Sequence, residues 1–394
     1  MSTEPPMSTE PPVAEAVQPD GRLRVLFVFE GLYGRGAERI ALGLIARLDR
    51  TRFAPSVWIL RSEDALRSEV PPDVPITVVL RTGERIRHAL GRVPASLLEQ
   101  ARKADVIVGT VELMPTYFAA LAGAWTGKPV IGWVRNSMDY TFSEQPIWHR
   151  WLSRWLYRRL PRLVFVSHGT KQTLRRLQLL NEAQLSVVYN PVDVARVQLK
   201  QYDALPEWAS FMHRHPTIVA VGRLVRQKGF DVLIRAHAAL RQRGSAQHLL
   251  IVGEGHLRRS LEMLAAELGV SDSVHLPGHV QNPYPLMRHA AVFALSSNWE
   301  GFGGVVVEAM ACGTPVVATD CPSGPAEILE DGRYGLLVPP NDPQALSGAL
   351  EQVLSTPALQ QELHHLSLSR AQDFAPGVTV PQWQELLLRT ATGQ

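Results

Sequence analysis

Cysteine is nearly missing from this chain: Cys312 and Cys321 are the only two, which excludes a disulfide framework and a cysteine-based metal centre. No two aspartates stand in Asp-x-Asp spacing, and no His/Asp/Glu cluster has a metal-ligand pattern. The common way to hold a divalent ion on a diphosphate is therefore absent, and no metal or other cofactor is expected. No uninterrupted apolar run approaches the length of a membrane span. The net charge of +3 gives no general case for nucleic acid as a partner. Acidic residues are missing altogether between Gln145 and Asn181. The first residues, MSTEPPMSTEPPVAEAVQPDG, repeat MSTEPP and lack the apolar core of a signal peptide. Their Pro, Ser, Thr and Glu content predicts a disordered tail over residues 1–21, with Met1 and Met7 as alternative starts and a cytoplasmic home.

What is present is an ordinary globular composition, 45% hydrophobic and 20% charged, over 394 residues. That length exceeds what one core serves, so two domains are expected. Apolar runs of strand length recur at 23–29, 56–60, 75–80, 105–108, 129–133 and 163–166, and again at 217–221, 248–252 and 274–280, with helical spacing between them. Such alternation predicts doubly wound α/β domains.

The most informative stretch runs from Ala294 to Gly324. An apolar run ends at Leu295, a polar loop carries Glu300, Gly301, Phe302, Gly303 and Gly304, and a helix is expected from about Gly304 to Cys312. Glycines let a backbone approach a ligand closely, and the helix start supplies free amides for an anion. Glu308, one turn in, is suited to accept hydrogen bonds from vicinal hydroxyls; Glu300 is suited to face a second hydroxyl-bearing ring. A sugar, a diphosphate and a ribose fit in that order.

Glu300-Gly301-Phe302-Gly303, followed by Glu308-Ala309-Met310-Ala311-Cys312-Gly313-Thr314-Pro315-Val316-Val317, resembles the Glu-x7-Glu signature of family 4 retaining glycosyltransferases. The resemblance implies the GT-B fold, two Rossmann-like doubly wound domains facing across a cleft. Gly222-Arg223-Leu224 with Lys228-Gly229-Phe230-Asp231 resembles the family's second signature, in which the arginine and lysine hold the donor diphosphate. A bidentate guanidinium and a point-charge ammonium suit a leaving phosphate. Pro322-Ser323-Gly324-Pro325-Ala326-Glu327-Ile328-Leu329 matches the family as well. The resemblance thus implies Arg223, Lys228 and Glu300 as catalytic residues, and Gly36, Gly222, Phe302, Gly303, Gly304 and Glu308 as donor-binding ones.

In the first half, the strand Leu23–Phe29 leads through Gly31, Gly34 and Gly36 into a helix from Ala37. Alone this suggests a dinucleotide site. Yet the next strand is followed by Arg61, and no acidic residue ends it to hold a nicotinamide ribose. Gly36-Ala37-Glu38-Arg39 instead resembles the family's Gly-Gly-Ala-Glu-Arg loop, with Arg35 replacing a glycine; that arginine either adds a phosphate contact or crowds the loop. Many relatives carry a histidine between Gly109 and Ala124, and none is found here. Thr110 and Glu112 occupy that neighbourhood, and Val134-Arg135-Asn136 resembles a loop of enzymes that extend lipid-linked glycans. Glu112, Arg135 and His168 are the acceptor-side candidates; His168 either caps the next helix or touches substrate.

In the acid-free stretch, Trp148, Trp151, Leu152, Trp155 and Leu156 recur at helical intervals with arginines mostly between them. Such a helix either packs its stripe on a sheet, the arrangement expected for most of the tryptophans, or lies on an anionic membrane. The expected boundaries are 22–195 for an acceptor-side domain, 196–374 for a donor domain, and 375–394 for a helix returning to the first. The expected function is transfer of a sugar from a nucleotide-diphosphate sugar, a UDP-sugar foremost, to a glycan or lipid-linked acceptor in cell-surface polysaccharide or glycolipid assembly. A nucleotide-sugar epimerase and a non-catalytic nucleotide-sugar-binding protein are the alternatives.

Overall fold

The computed structural model describes residues 21–34, 36–62, 65–143, 145–176 and 181–393. The expected tail and Arg35 fall outside these residues, apart from Gly21.

Two parallel sheets organise the chain. The first contains Leu23–Phe29 (β1), Phe53–Arg61 (β2), Ile76–Leu80 (β3), Val106–Gly109 (β4), Val130–Val134 (β5), Arg162–Phe165 (β6) and Leu185–Val187 (β7). Its strand order is β3-β2-β1-β4-β5-β6-β7. The second contains Thr217–Val221 (β8), His248–Val252 (β9), Val274–Gly278 (β10), Val292–Leu295 (β11), Val316–Thr319 (β12) and Leu336–Val338 (β13). Its order is β10-β9-β8-β11-β12-β13.

The strands read as short apolar runs because helices cover both faces of a parallel sheet. β4, β5, β11 and β12 are buried along their whole length. In each sheet the winding reverses once, between β1 and β4 and between β8 and β11. Crevices at the carboxyl ends of such strand pairs are where open α/β sheets bind ligands.

Helix Pro376–Ala391 returns to the first sheet. Its Trp383 packs on Trp133 of β5 with ring centroids 4.3 Å apart, both rings fully buried. Near the crossing points, Tyr189, Phe302 and Phe374 form an aromatic cluster, each pair 5.4 to 5.6 Å apart.

One expectation fails at helix Ile147–Tyr157. His149, Ser153, Leu156 and Tyr157 face inward, while Trp148, Trp151 and Trp155 are 51%, 67% and 53% exposed. The inward face mixes Leu156 and Tyr157, which join the hydrophobic core, with polar groups that find partners. The Tyr117 hydroxyl lies 2.6 Å from Ser153 Oγ, and the Leu113 amide donates to the Tyr157 hydroxyl at 3.1 Å. Core packing by Leu156 and Tyr157, together with these hydrogen bonds, sets the buried side.

Candidate functional site

A cavity of about 900 Å³ opens between the two sheets, with walls drawn from both reversal points. Glu30 and Glu38 follow β1, and Thr110 and Glu112 follow β4; Arg223, from the loop after β8, and Trp299, from the loop after β11, face them.

Arg223 is exposed at the cavity wall and pairs with no carboxylate among the described residues. Lys228 is paired. Its Nζ donates to Glu300 Oε1 at 2.5 Å, and Ser297 Oγ donates to the same oxygen at 2.7 Å. The Lys228 stem lies over Gly222, where a Cβ would come within 3.1 Å of Lys228 Cε. Gly229, at φ 57°, brings the loop against the Ser296 carbonyl so closely that any side chain would overlap it. Two loops from different strands are thus held together by close backbone approach, which fixes Lys228 beside Glu300.

Helix Gly304–Ala311 begins at Gly303, whose φ of 88° needs glycine, and no side chain caps its first amides. Glu308 is partly buried in this helix. Burial pushes its carboxyl up to about 7, opposed by the Tyr284 hydroxyl and by Arg196. Glu300, Gly303, Gly304 and Glu308 follow β11, and neither they nor Lys228 stand in the cavity lining. Phe302 sits with its ring in the core. Its ring is 3% exposed inside the Tyr189–Phe374 cluster, so only its backbone is available to a ligand. Gly36 opens helix Gly36–Arg47 with free space where a Cβ would stand.

The acceptor-side candidates take three different positions. Glu112 lines the cavity, 6% exposed, and accepts from the Arg135 amide at 2.9 Å and Asn136 Nδ2 at 2.5 Å. Arg135 is a correction. Its guanidinium is turned away from the cavity, donating to the Ala37 carbonyl at 2.6 Å and Asn190 Oδ1 at 3.2 Å, and stacking over Trp133. Burial pulls its pKa down to about 9, against the carboxylates of Glu112 and Glu38. Arg135 therefore holds the loop after β5 to the start of helix Gly36–Arg47 and to the segment after β7. His168 stands at the start of helix His168–Arg176 with its ring exposed and edge-on to Tyr189, outside the cavity lining.

Three contacts between the halves escaped the sequence reading. Tyr140 stacks on Trp299 at 4.5 Å, with 6° between the rings. Glu327 accepts from the amides of His168 and Gly169 at 2.8 and 2.7 Å, capping helix His168–Arg176 from the opposite half. Ser167 Oγ donates to the Gly301 carbonyl at 2.7 Å. Glu327 lies within the quoted Pro-x-Glu-Ile-Leu match, which was the available signal; nothing local marks Tyr140.

The arrangement suits a ligand with a negative charge near Arg223 and Lys228 and hydroxyl groups near the carboxylates. A family model described as glycosyltransferase family 4 matches residues 34–196, and one described as glycosyl transferases group 1 matches residues 209–366. A Campylobacter jejuni protein named N-acetylgalactosamine-N,N'-diacetylbacillosaminyl-diphospho-undecaprenol 4-alpha-N-acetylgalactosaminyltransferase is 28% identical over 270 residues, which is 66% of this chain and 70% of that one. The Rhizobium meliloti lipopolysaccharide core biosynthesis glycosyltransferase LpsE is 36% identical over 148 residues, 38% of this chain and 42% of that one. Much of the second relative's length is therefore unmatched. Among solved structures, Anabaena Alr3699/HepE in complex with UDP superposes with a TM-score of 0.79 at 20% identity, over 93% of this chain and 100% of that one. With one model over each half, the chain belongs to the family 4 glycosyltransferases and has their GT-B fold.

Proposed function

We propose that the chain transfers a sugar, with retention of anomeric configuration, from a nucleotide-diphosphate sugar to a glycan or lipid-linked acceptor in cell-surface polysaccharide or glycolipid assembly. A UDP-sugar is the foremost donor. In this reading residues 196–374 form the donor half, and residues 22–195 with 375–394 form the acceptor half. Work at the inner, cytoplasmic face of a membrane goes with such an acceptor.

The observation that carries the reading is the Lys228–Glu300 ion pair, which joins the loops after β8 and β11 at the reversal point of the second sheet, with Arg223 of the same β8 loop on the wall of a cavity lined by both halves. As the glycosidic C–O bond breaks, negative charge grows on the leaving diphosphate. Donors already aimed there stabilise the transition state more than the ground state. Arg223, Lys228 and the amides after Phe302 are these donors, and no metal is assigned a part. Retention follows if the acceptor hydroxyl oxygen bonds to the anomeric carbon on the face that the diphosphate leaves. Its proton then passes to the departing phosphate oxygen, and no covalent enzyme nucleophile is used. Glu308 accepts from the ribose hydroxyls.

Support also comes from the named relatives. The Campylobacter protein's name includes a diphospho-undecaprenol, the Rhizobium protein's a lipopolysaccharide core, and the Anabaena structure contains UDP. These names favour transfer over epimerisation or bare binding.

The test is binding of a panel of nucleotide sugars, with and without a chelator, to the wild type and to Lys228→Ala. Tight, chelator-insensitive binding of one nucleotide sugar that Lys228→Ala weakens is the expected result. Binding to none of the panel, or loss of binding with chelator, would overturn the reading.

A further inference from the structure

We propose that the outer face of helix Ile147–Tyr157 docks this protein on an anionic lipid bilayer, with the mouth of the inter-sheet cavity turned toward the headgroups. The proposal rests on the reading above only for the purpose of docking, not for its existence.

Three observations converge on this helix. First, Ile147, Trp148, Trp151 and Trp155 fall on one stripe and are 69%, 51%, 67% and 53% exposed. Large aromatic rings clustered in water are unusual on a soluble surface and mark an interaction site. The core does not need them, because the opposite face is already filled by His149, Ser153, Leu156 and Tyr157. Second, the charge beside the stripe has one sign. Arg150 and Arg154 are exposed, neither pairs with a carboxylate among the described residues, and the sequence holds no acid between residues 145 and 181. Arg159 adds a guanidinium 4.0 Å over the Trp155 ring. Tryptophan beside arginine suits the boundary between acyl chains and anionic headgroups, where the indole is half buried and the guanidinium meets phosphate. Third, the same helix reaches the cavity, since Trp148 and His149 stand in its lining and stack on each other at 3.6 Å. A lipid-linked acceptor lying in the bilayer would then enter the cavity without leaving the surface.

Insertion is shallow in this arrangement. The helix has 11 residues, and among the described residues no helix is long and apolar enough to cross a membrane. A basic protein surface facing another copy, or an acidic protein, would show the same charge but would not require indoles to enter lipid.

The experiment uses the full chain with phosphatidylcholine vesicles, with and without phosphatidylglycerol, followed by sedimentation and by tryptophan emission. The wild type is expected to sediment with the anionic vesicles only and to shift its emission to the blue. Trp151→Ser with Trp155→Ser is expected to abolish the shift and to lower partitioning about tenfold or more. Arg150→Gln with Arg154→Gln is expected to lower partitioning on the order of 30-fold at low salt. Nucleotide-sugar binding in solution, measured on the same samples, is expected to be unchanged in all variants. Its presence or absence in the wild type judges the transferase reading separately. A wild type that stays in the supernatant would overturn the docking proposal, as would binding that survives loss of both tryptophans. Self-association in the absence of vesicles, lost in the tryptophan variant and unaccompanied by vesicle binding, would also overturn it and assign the face to a second copy.

Discussion

Tyr140 and Trp299 stack 4.5 Å apart and within 6° of parallel, one ring from each half of the molecule. Trp299 immediately precedes Glu300, so the stack ties the position of the loop after β11 to the first half. An aromatic pair contributes about 0.5–1.5 kcal/mol beyond its buried area. Tyr140→Ala is therefore expected to lower kcat/KM several-fold, with a smaller change in donor affinity. Steady-state kinetics beside donor binding by calorimetry checks this; an equal loss in both would assign Tyr140 to donor contact instead.

Lys228 and Glu300 form an ion pair with side chains only 14% and 7% exposed. Removing one partner of a buried pair strands the other, at a cost of roughly 3–5 kcal/mol. Lys228→Ala is expected to lower the melting temperature as well as the rate, the latter on the order of 10²- to 10³-fold if the ammonium meets the diphosphate. Adding Glu300→Gln is expected to restore much of the stability and none of the activity. Thermal melts and transfer rates on the two single variants and the double variant separate these effects.

Gly301 lies where a Cβ would overlap the Arg135 carbonyl oxygen of the other half. No left-handed φ is involved, so the glycine is needed for closeness alone. Gly301→Ala is expected to push the halves apart, with a large loss of activity and near-wild-type secondary structure. Small-angle scattering reads the opening directly, and circular dichroism reads the retained structure.

Away from the cavity, His248 stacks with His215 at 4.3 Å, and its Nδ1 lies 2.8 Å from His275 Nε2. Burial, then the neighbouring His215, His275 and Arg241, holds His248 down to about 4, with Asp272 opposing. His237, beside Ser273, is also held down to about 4, chiefly by burial. A depressed histidine is neutral in the fold and protonates more readily when unfolded. Its stabilising share is present above the unfolded value near 6.5 and is lost as pH falls toward 4. Melting temperature is expected to drop across that window, and His248→Gln is expected to flatten the drop.

The fold was legible because its signals are local. Strands β1, β8 and β9 were expected at their observed bounds because a strand buried on both faces shows as an unbroken apolar run. The glycine-rich loop of Glu300 to Gly304 was likewise placed correctly between β11 and helix Gly304–Ala311, because strand, loop and helix are contiguous in sequence. What depends on contact across the molecule was not legible. Arg135 looked available because its sequence neighbourhood does not show Ala37 or Asn190 receiving its guanidinium. That the Phe302 ring packs between Tyr189 and Phe374 was not legible, because both lie far from it in sequence. On helix Ile147–Tyr157 the stripe of highest hydrophobicity was taken for the inner one. The structure instead buries a face whose polar groups find partners on Tyr117 and Leu113.

The return of helix Pro376–Ala391 to the first sheet sets an order of events during synthesis. β5 is made early, yet Trp133 is covered by Trp383, which leaves the ribosome only after the whole second sheet has been produced. Domains usually fold in turn from the amino terminus. Here the Trp133 indole of the first half stays uncovered until helix Pro376–Ala391 has been made, so the final consolidation of that half waits on the second sheet.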